Sequence, residues 1–195
     1  IRVHARDANS GTFETFRMLV LGDAALRADA RRYESTRELA LAVRNDPDAI
    51  GFVGLAGIGE TRALAVSDVG QALMPNPFSV AVEDYALSRR LYLYQAQDSA
   101  PAARAFVEFA LSPAGQRVVQ NTGLVAQQVQ ALRSPVRGDA PEEYRHLVQN
   151  AERLSLNFRF GTGSSLLDSK ALIELDRLAD FMRRPEQRGR TLRLL

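Results

Sequence analysis

The residues best suited to chemistry form one short stretch, residues 6–12 (RDANSGT), which precedes a helix-like apolar run over residues 13–21. The first turn of a helix leaves backbone N–H groups unpaired and partly positive, so it binds anions readily. Ser10 and Thr12 can each donate an O–H, and Gly11 allows close approach of the backbone. Arg6 offers a planar fork that matches two oxygens of a tetrahedral anion. The stretch therefore predicts an oxyanion site with the ligands Arg6, Ser10, Gly11 and Thr12.

Two other interpretations apply to the same stretch. A Ser or Thr N-cap beside an unrelated arginine gives the same pattern, because these residues begin many helices. A hydrolase would need a general base within hydrogen-bond reach of Ser10 or Thr12. The nearby candidates are His4, on a predicted strand, and Asp7, which more plausibly pairs with an arginine or caps the turn. We therefore expect no enzymatic activity and assign no catalytic residue.

The composition is that of an ordinary globular protein and excludes several kinds of site. Of the 195 residues, 46% are hydrophobic and 25% charged, which is enough for one large domain or two small ones. There is no cysteine, so disulfides, a thiolate nucleophile and Cys-ligated metals are excluded. The two histidines, His4 and His146, lack metal-ligand spacing, and we predict no metal and no cofactor. The net charge of +2 without a basic block does not favour nucleic-acid binding.

Apolar periodicity in the first part of the chain indicates alternating strands and helices. The first predicted elements are a strand over residues 1–3 and a helix over 13–21 that stops at Gly22. The apolar face of this helix is Phe13, Phe16, Leu19 and Val20. A second helix, capped by Ser35 and stopped by Asp46-Pro47, and a buried strand over 49–55 follow. This order points to an α/β layered fold. Two further strands are predicted over residues 79–82 and 90–94, then helices over 102–111 and from Ser112-Pro113 to about Asn121.

The aromatic side chains Tyr85, Tyr92 and Tyr94 permit two interpretations. Their spacing is typical of a strand that enters the core, and the alternative is a stacking surface for a sugar or a base.

A polar stretch rich in proline and glycine around residues 133–144 is the best domain boundary. We predict a first domain over residues 1–132, a linker over 133–153 and a second domain over 154–195. In the second domain, residues 154–160 alternate as a half-buried strand, residues 165–168 cap an amphipathic helix that ends before Pro185, and residues 191–195 begin another strand.

Four blocks in the first 130 residues occur in a family's order: residues 6–12 with Phe16, residues 46–53, residues 85–94, and residues 106–109 followed by 112–116 and 123–125. Together they resemble the phosphate-binding protein (PstS-like) of bacterial phosphate ABC transporters, a periplasmic two-lobed α/β binder. The resemblance implies a periplasmic-binding-protein-like lobe, that is, a partial type II receptor fold. It also implies that phosphate or a similar tetrahedral oxyanion is gripped by Arg6, Ser10, Gly11 and Thr12, and that an ABC permease is a partner.

The chain departs from this family pattern at two places. In the family, an acidic residue lies two positions after the arginine. Here that position is Ala8 and the acidic residue is Asp7, one position earlier, which changes the surroundings of the arginine. Where the family has a proline after a serine-arginine pair, this chain has Arg90. The family's remaining ligands, including an aspartate that accepts a proton from the anion, belong to an N-terminal segment that we expect this chain to lack. We therefore expect half of a binding cleft and weak affinity in isolation.

The last part of the chain shows a second resemblance, carried by residues 156–160, residues 163–167 and the helix with Leu172, Leu175 and Leu178. These resemble the opening β-α-β part of an OmpA-like domain, the module that holds peptidoglycan in Gram-negative envelopes. The resemblance implies peptidoglycan as a partner and the cell envelope as the location. The aspartate and arginine with which that family grips the wall are expected after Leu195.

The leading hypothesis is a periplasmic solute-binding protein that binds phosphate or a similar oxyanion and is anchored to the wall by the OmpA-like part. The alternative is a structural or adhesive envelope protein whose receptor-like fold no longer binds phosphate, because a fold alone does not determine function.

Overall fold

The computed structural model describes residues 1–68, 70–133, 136, 140–158, 160, 163–167 and 169–194. The chain divides into two compact units, Ile1–Ala126 and Gln127–Leu195. The division falls before the predicted end of the first domain at residue 132, because residues 131–132 pair with a strand of the second unit.

A parallel three-stranded sheet lies at the centre of the first unit. Its strands are β1 (Arg2–Arg6), β2 (Arg31–Tyr33) and β3 (Ala49–Gly51), in the order β2-β1-β3. Parallel neighbours need crossover connections, which the helices between these strands supply. The predicted α/β fold is therefore confirmed. The short, arginine-rich β2 was not predicted, because it lacks an alternating apolar pattern.

The first helix changes its winding part of the way along. The α-helix α1 (Gly11–Phe16) continues as a π-helical segment, Arg17–Leu21, and ends at Gly22, whose φ of 57° and N–H bond to the Arg17 carbonyl confirm the predicted stop. Phe13 is buried as predicted. Leu19 and Val20, predicted for the same face, are 45% and 49% exposed. The π-helical segment winds with a different repeat, so the residues after Arg17 leave the face that Phe13 begins.

The second helix, α2 (Thr36–Arg44), packs against the sheet. Ser35 caps it by accepting the Glu38 N–H at 3.2 Å, as predicted, and the helix ends before Asp46-Pro47. Beside it, β3 is shorter than the predicted strand over residues 49–55 and less buried, with Ile50 41% exposed, because β3 is an edge strand. The guanidinium of Arg2 hydrogen-bonds Asp46 and holds the pKa of that carboxyl at about 2.

The first unit also contains a short 3-10 helix, Leu55–Gly57, and three more α-helices: α3 (Pro77–Ala81), α4 (Pro101–Leu111) and α5 (Pro113–Asn121). The last two confirm the predictions, and Ser112 caps α5 by accepting the Gly115 N–H at 3.1 Å. The strand predicted over residues 79–82 is wrong. Asn76 and Ser79 form a reciprocal capping box around Pro77, and this start signal outweighs the strand propensity of the residues that follow.

The segment predicted as a strand over residues 90–94 is not strand in the structure, and its aromatic side chains are not in the core. Tyr92 is 61% exposed and Tyr94 is 91% exposed. Their ring centroids are 6.2 Å apart. The interpretation of these tyrosines as a strand that enters the core is therefore wrong.

In the second unit, β4 (Ala131–Leu132) pairs antiparallel with β5 (Arg153–Leu154); helix α6 (Glu142–Val148) lies between them in the chain and helix α7 (Ser169–Met182) follows β5. Helix α7 confirms the predicted amphipathic helix, whereas the strands predicted over residues 154–160 and 191–195 do not form over their described residues beyond Leu154 and an isolated bridge at Phe160. The predicted linker contains α6. Residues 134, 135 and 137–139 of that linker, Arg159 and the predicted cap residue Asp168 lie outside the described residues.

Contacts within this unit bring α7 against the segment after β5. Glu174, 4% exposed, accepts the Asn157 N–H at 3.2 Å and pairs with Lys170 at 2.9 Å. Ala171 and Phe181 are buried on the same helix, whereas Leu172 is 56% exposed.

The close contact of Gly51 with α2 gives a stability prediction. A β-carbon on Gly51 would lie 2.8 Å from Leu39 Cδ2 and 3.0 Å from the His4 carbonyl oxygen. We expect Gly51→Ala to lower the free energy of unfolding of the first unit by about 1–3 kcal/mol, because the packed core must shift. Gly54→Ala is the matched control, since no heavy atom lies within 4 Å of its β-carbon. Urea titration followed by the NMR amide signals of β1 measures both, and equal stabilities would contradict the prediction.

Candidate anion-binding site

The Ser10–Thr12 turn begins α1 just beyond the carboxyl end of the central strand. Ser10 is extended and 9% exposed, and its Oγ accepts the Thr12 N–H at 3.2 Å while its carbonyl accepts the Glu14 N–H at 3.0 Å. The N-cap interpretation of Ser10 is therefore confirmed. The serine O–H is still available as a donor.

The amides of Gly11 and Phe13 are the available backbone donors of the turn. Neither has an acceptor among the described residues, as expected for the first turn of a helix. The loop that leads to them is braced from inside, because Asp7 Oδ1 accepts the Asn9 N–H at 2.9 Å and the Asp7 carbonyl accepts the Ser10 N–H at 3.2 Å. The turn thus presents two amides and two hydroxyls on a fixed backbone.

Arg6 lies at the end of β1 and contacts the start of α2. Its Nε donates to the Tyr33 carbonyl at 3.2 Å and its Nη2 to the Glu34 carbonyl at 2.7 Å, while its Nη1 donates to Thr36 Oγ1. Asp7 lies 3.7 Å from the same guanidinium. These partners lie in residues 7 and 33–36, so the structure does not join Arg6 to the Ser10–Thr12 turn. A guanidinium has five N–H donors, and the role of Arg6 as an anion ligand stays a prediction.

A different arginine lies against the turn. Arg89 Nη1 donates to the Gly11 carbonyl at 3.1 Å, and a β-carbon on Gly11 would lie 3.4 Å from both Nη1 and Nη2. The guanidinium therefore lies directly beside the glycine. Sequence reasoning did not assign Arg89 to the site, because 78 positions separate the two residues. The available signal was its place in the block over residues 85–94 that resembles the receptor family.

A third arginine approaches the turn from β2. The guanidinium carbon of Arg32 lies 4.6 Å from the centroid of the Phe13 ring, and its Nη1 donates to the Arg6 carbonyl at 3.4 Å. Phe13 and Phe16 in turn pack against Phe52, with ring centroids 6.3 Å and 4.0 Å apart. Arg89 and Arg32, from two separate segments, thus contact the start of a helix that aromatic stacking fixes to the residue after β3.

The two candidate general bases have other contacts. His4 is 2% exposed, with Nδ1 2.9 Å from the Tyr33 hydroxyl and its ring stacked on Tyr33. Asp7 contacts Arg6 and Asn9. Among the described residues, no group of three or more acidic, histidine or cysteine side chains could hold a metal ion.

Part of the chain is similar to known proteins in sequence and in fold. No family model matches the chain. Over 124 residues, 60% of this chain, it is 33% identical to protein SphX of Synechococcus elongatus, and the match covers 37% of that protein. Its fold matches an ABC-type phosphate transport receptor from Vibrio cholerae with a TM-score of 0.55 and 21% identity, over 64% of this chain and 52% of the receptor.

A second solved structure gives the same result. A phosphate-binding protein of a phosphate ABC transporter from Streptococcus pneumoniae TIGR4 matches with a TM-score of 0.57 and 23% identity, over 66% of this chain and 52% of that protein. The matched part of the chain has the fold of these receptors. The chain spans about half the length of the receptors and 37% of SphX. No helix among the described residues is long and apolar enough to cross a membrane.

The contacts of Arg6 predict a structural contribution. We expect Arg6→Gln to lower the free energy of unfolding of the first unit by about 1–3 kcal/mol, because two carbonyls and a hydroxyl lose a charged donor. Arg37→Gln is the matched control, since Arg37 is exposed on α2 and the same charge is removed. Urea titration followed by β1 amide signals measures the difference. A loss no larger than that of the control would show that Arg6 does not stabilise the connection between β1 and α2.

Proposed function

We propose that this chain is part of an extracytoplasmic receptor that binds inorganic phosphate, or a similar tetrahedral oxyanion, and works with an ABC permease. One observation carries the proposal: the start of α1 presents the Gly11 and Phe13 amides, which have no acceptor among the described residues, with the Ser10 and Thr12 hydroxyls and the Arg89 guanidinium nearby, on a fold like that of solved phosphate receptors. The proposed ligands are Ser10, Gly11 and Thr12 on the turn, and Arg6 at the end of β1.

The position of the turn in the sheet supports this proposal. In open α/β sheets, ligands bind outside the carboxyl ends of the strands. The turn follows the carboxyl end of β1, which lies between β2 and β3. The groups it presents are mainly donors, and an anion that accepts hydrogen bonds on all its oxygens matches such a set.

Phosphate titration of the 15N-labelled chain tests the proposal. We expect saturable NMR shifts at the Gly11 and Phe13 amides, with millimolar affinity because only about half of a receptor is present. Thr12→Val, which removes one hydroxyl at nearly constant volume, should weaken binding about tenfold, which corresponds to about 1.5 kcal/mol for a hydrogen bond to a charged group.

Thr122→Val is the matched control for this measurement. The Thr122 hydroxyl donates to the Val119 carbonyl at the end of α5, at 2.7 Å, so its loss should leave phosphate binding unchanged. Shifts that map away from residues 10–13, or an unchanged affinity in Thr12→Val, would disprove the site.

A structural or adhesive envelope protein is the second candidate, and the contacts of Arg6 favour it. Because the guanidinium donates to the Tyr33 and Glu34 carbonyls, an anion would have to compete with the protein's own oxygens for this arginine. If so, the same titration would produce no saturable shifts at the turn.

We further propose that the second unit is the opening part of an OmpA-like domain that anchors the receptor to peptidoglycan. The supporting features are the 14-residue helix α7 and the partly exposed apolar residues on it, such as Leu172 and Leu175, which a larger domain would cover.

Fractionation of the source cells tests the anchor. An antibody against this chain should detect the protein in the envelope fraction, and part of it should sediment with purified sacculi and be released by a muramidase. A periplasmic protein of similar size without such a tail serves as the control and should stay in the supernatant. Complete recovery of the protein in the soluble fraction would contradict the anchor without affecting the phosphate site.

A further inference from the structure

The charges around the Ser10–Thr12 turn are balanced unevenly. Arg6 has Asp7 at 3.7 Å, and Arg90 is held by both carboxylate oxygens of Glu83, with 3.0 Å between Arg90 Nη2 and Glu83 Oε2. Arg89 differs from both of them, because its partner is the neutral Gly11 carbonyl and not a carboxylate. A carbonyl satisfies one donor of a guanidinium and does not neutralise its charge.

The segment that carries Arg89 is fixed by its neighbours. Glu83 follows α3 with a φ of 59°, a left-handed conformation that a residue with a side chain adopts only when its surroundings enforce it. Its pairing with Arg90 is partly buried, with side chains 14% and 29% exposed, and closes residues 83–90 into a loop. Within the loop, the Ser88 N–H donates to the Tyr85 carbonyl at 3.0 Å. Burial raises the pKa of Tyr85 above its ordinary value.

We propose that Arg89 is a second guanidinium ligand of the tetrahedral anion and that the Glu83–Arg90 ion pair positions it. This inference rests on the proposed phosphate site. On binding, Arg89 exchanges its bond to the neutral carbonyl for bonds to anionic oxygens, which are roughly twice as strong. Gly11 permits the exchange, because the guanidinium already lies beside its α-carbon with no side chain between them. Arg89 is exposed and, among the described residues, has one hydrogen bond to give up, whereas Arg6 has several.

Substitution of Arg89 by glutamine distinguishes two roles of Arg89, that of an anion ligand and that of a structural contact that holds α1. Arg89→Gln keeps a donor for the Gly11 carbonyl and removes the charge. With inorganic phosphate as the probe and the 195-residue chain as the protein, we expect its Kd to rise roughly fivefold or more, as for a lost charged hydrogen bond. The dependence of Kd on sodium chloride should also become weaker, because one cation no longer contacts the anion. Arg62→Gln removes the same charge from an exposed residue and should change Kd less than about twofold.

A double variant tests the positioning role. Glu83→Gln with Arg90→Gln removes the ion pair without a change in net charge. We expect Kd to rise roughly two- to threefold, because Arg89 loses its fixed position and must be ordered on binding. In the Arg89→Gln background the same pair of substitutions should have no further effect, since residues that act through one another are not additive.

The outcomes separate this inference from the function on which it rests. If the unmodified chain shows no saturable phosphate shifts, both are wrong. If Thr12→Val weakens binding and Arg89→Gln does not, the site stands and Arg89 is not a ligand. If Arg89→Gln weakens binding but leaves the salt dependence unchanged, Arg89 only tethers α1 and the inference is overturned.

Discussion

The backbone pairing of β1 on both edges is the constraint on which the candidate site depends. His4, 2% exposed, pairs with both β2 and β3, Ala5, 0% exposed, pairs with β2, and Arg2 hydrogen-bonds Asp46 at the start of the strand. A one-residue change of register would exchange the faces on which His4 and Ala5 are buried, although the two side chains differ greatly in size. Because only residues 7–9 separate the strand from the turn, the sheet sets the position of the Ser10–Thr12 donors, and at the proposed site an anion would meet groups that need no ordering.

Arg6 and Arg89 illustrate two ways in which an arginine can serve such a site. Arg6 holds the strand end to the segment before α2, so its withdrawal toward an anion would leave the Tyr33 and Glu34 carbonyls without this donor. That loss offsets much of the gain from a charged acceptor. Arg89 is exposed and holds one carbonyl of the turn itself. The sequence spacing favours Arg6 as the anion ligand, whereas its contacts give it a structural role. Arg89 has fewer contacts to lose and can reorient more easily.

Local signals were sufficient to predict much of the first unit. The caps at Ser35 and Ser112 and the stop at Gly22 act within one helical turn, so single residues reveal them. The features that were not predicted depend on contacts between distant residues or on a local signal that outweighs strand propensity. The strand β2 has no apolar alternation and exists because β1 offers an edge, while the contact between Arg89 and Gly11 joins residues 78 positions apart. The hydroxyls and amides of the site were predictable, but the neighbours that determine the role of each arginine were not.

The balance of donors and acceptors at the turn determines what kind of selectivity this part of the protein can have. Discrimination between phosphate, which carries a proton at neutral pH, and a fully deprotonated oxyanion requires an acceptor for that proton. Glu14 and Asp7 are the carboxylates nearest the turn in sequence, and both are already engaged: Glu14 pairs with Arg17 at 2.7 Å, and Asp7 contacts the Asn9 amide and Arg6. The other groups around the turn are amides, hydroxyls and guanidiniums, which respond to charge and shape. If the proposed site binds an anion, these groups favour tetrahedral anions as a class, and selection within that class must come from groups outside the Ser10–Thr12 turn.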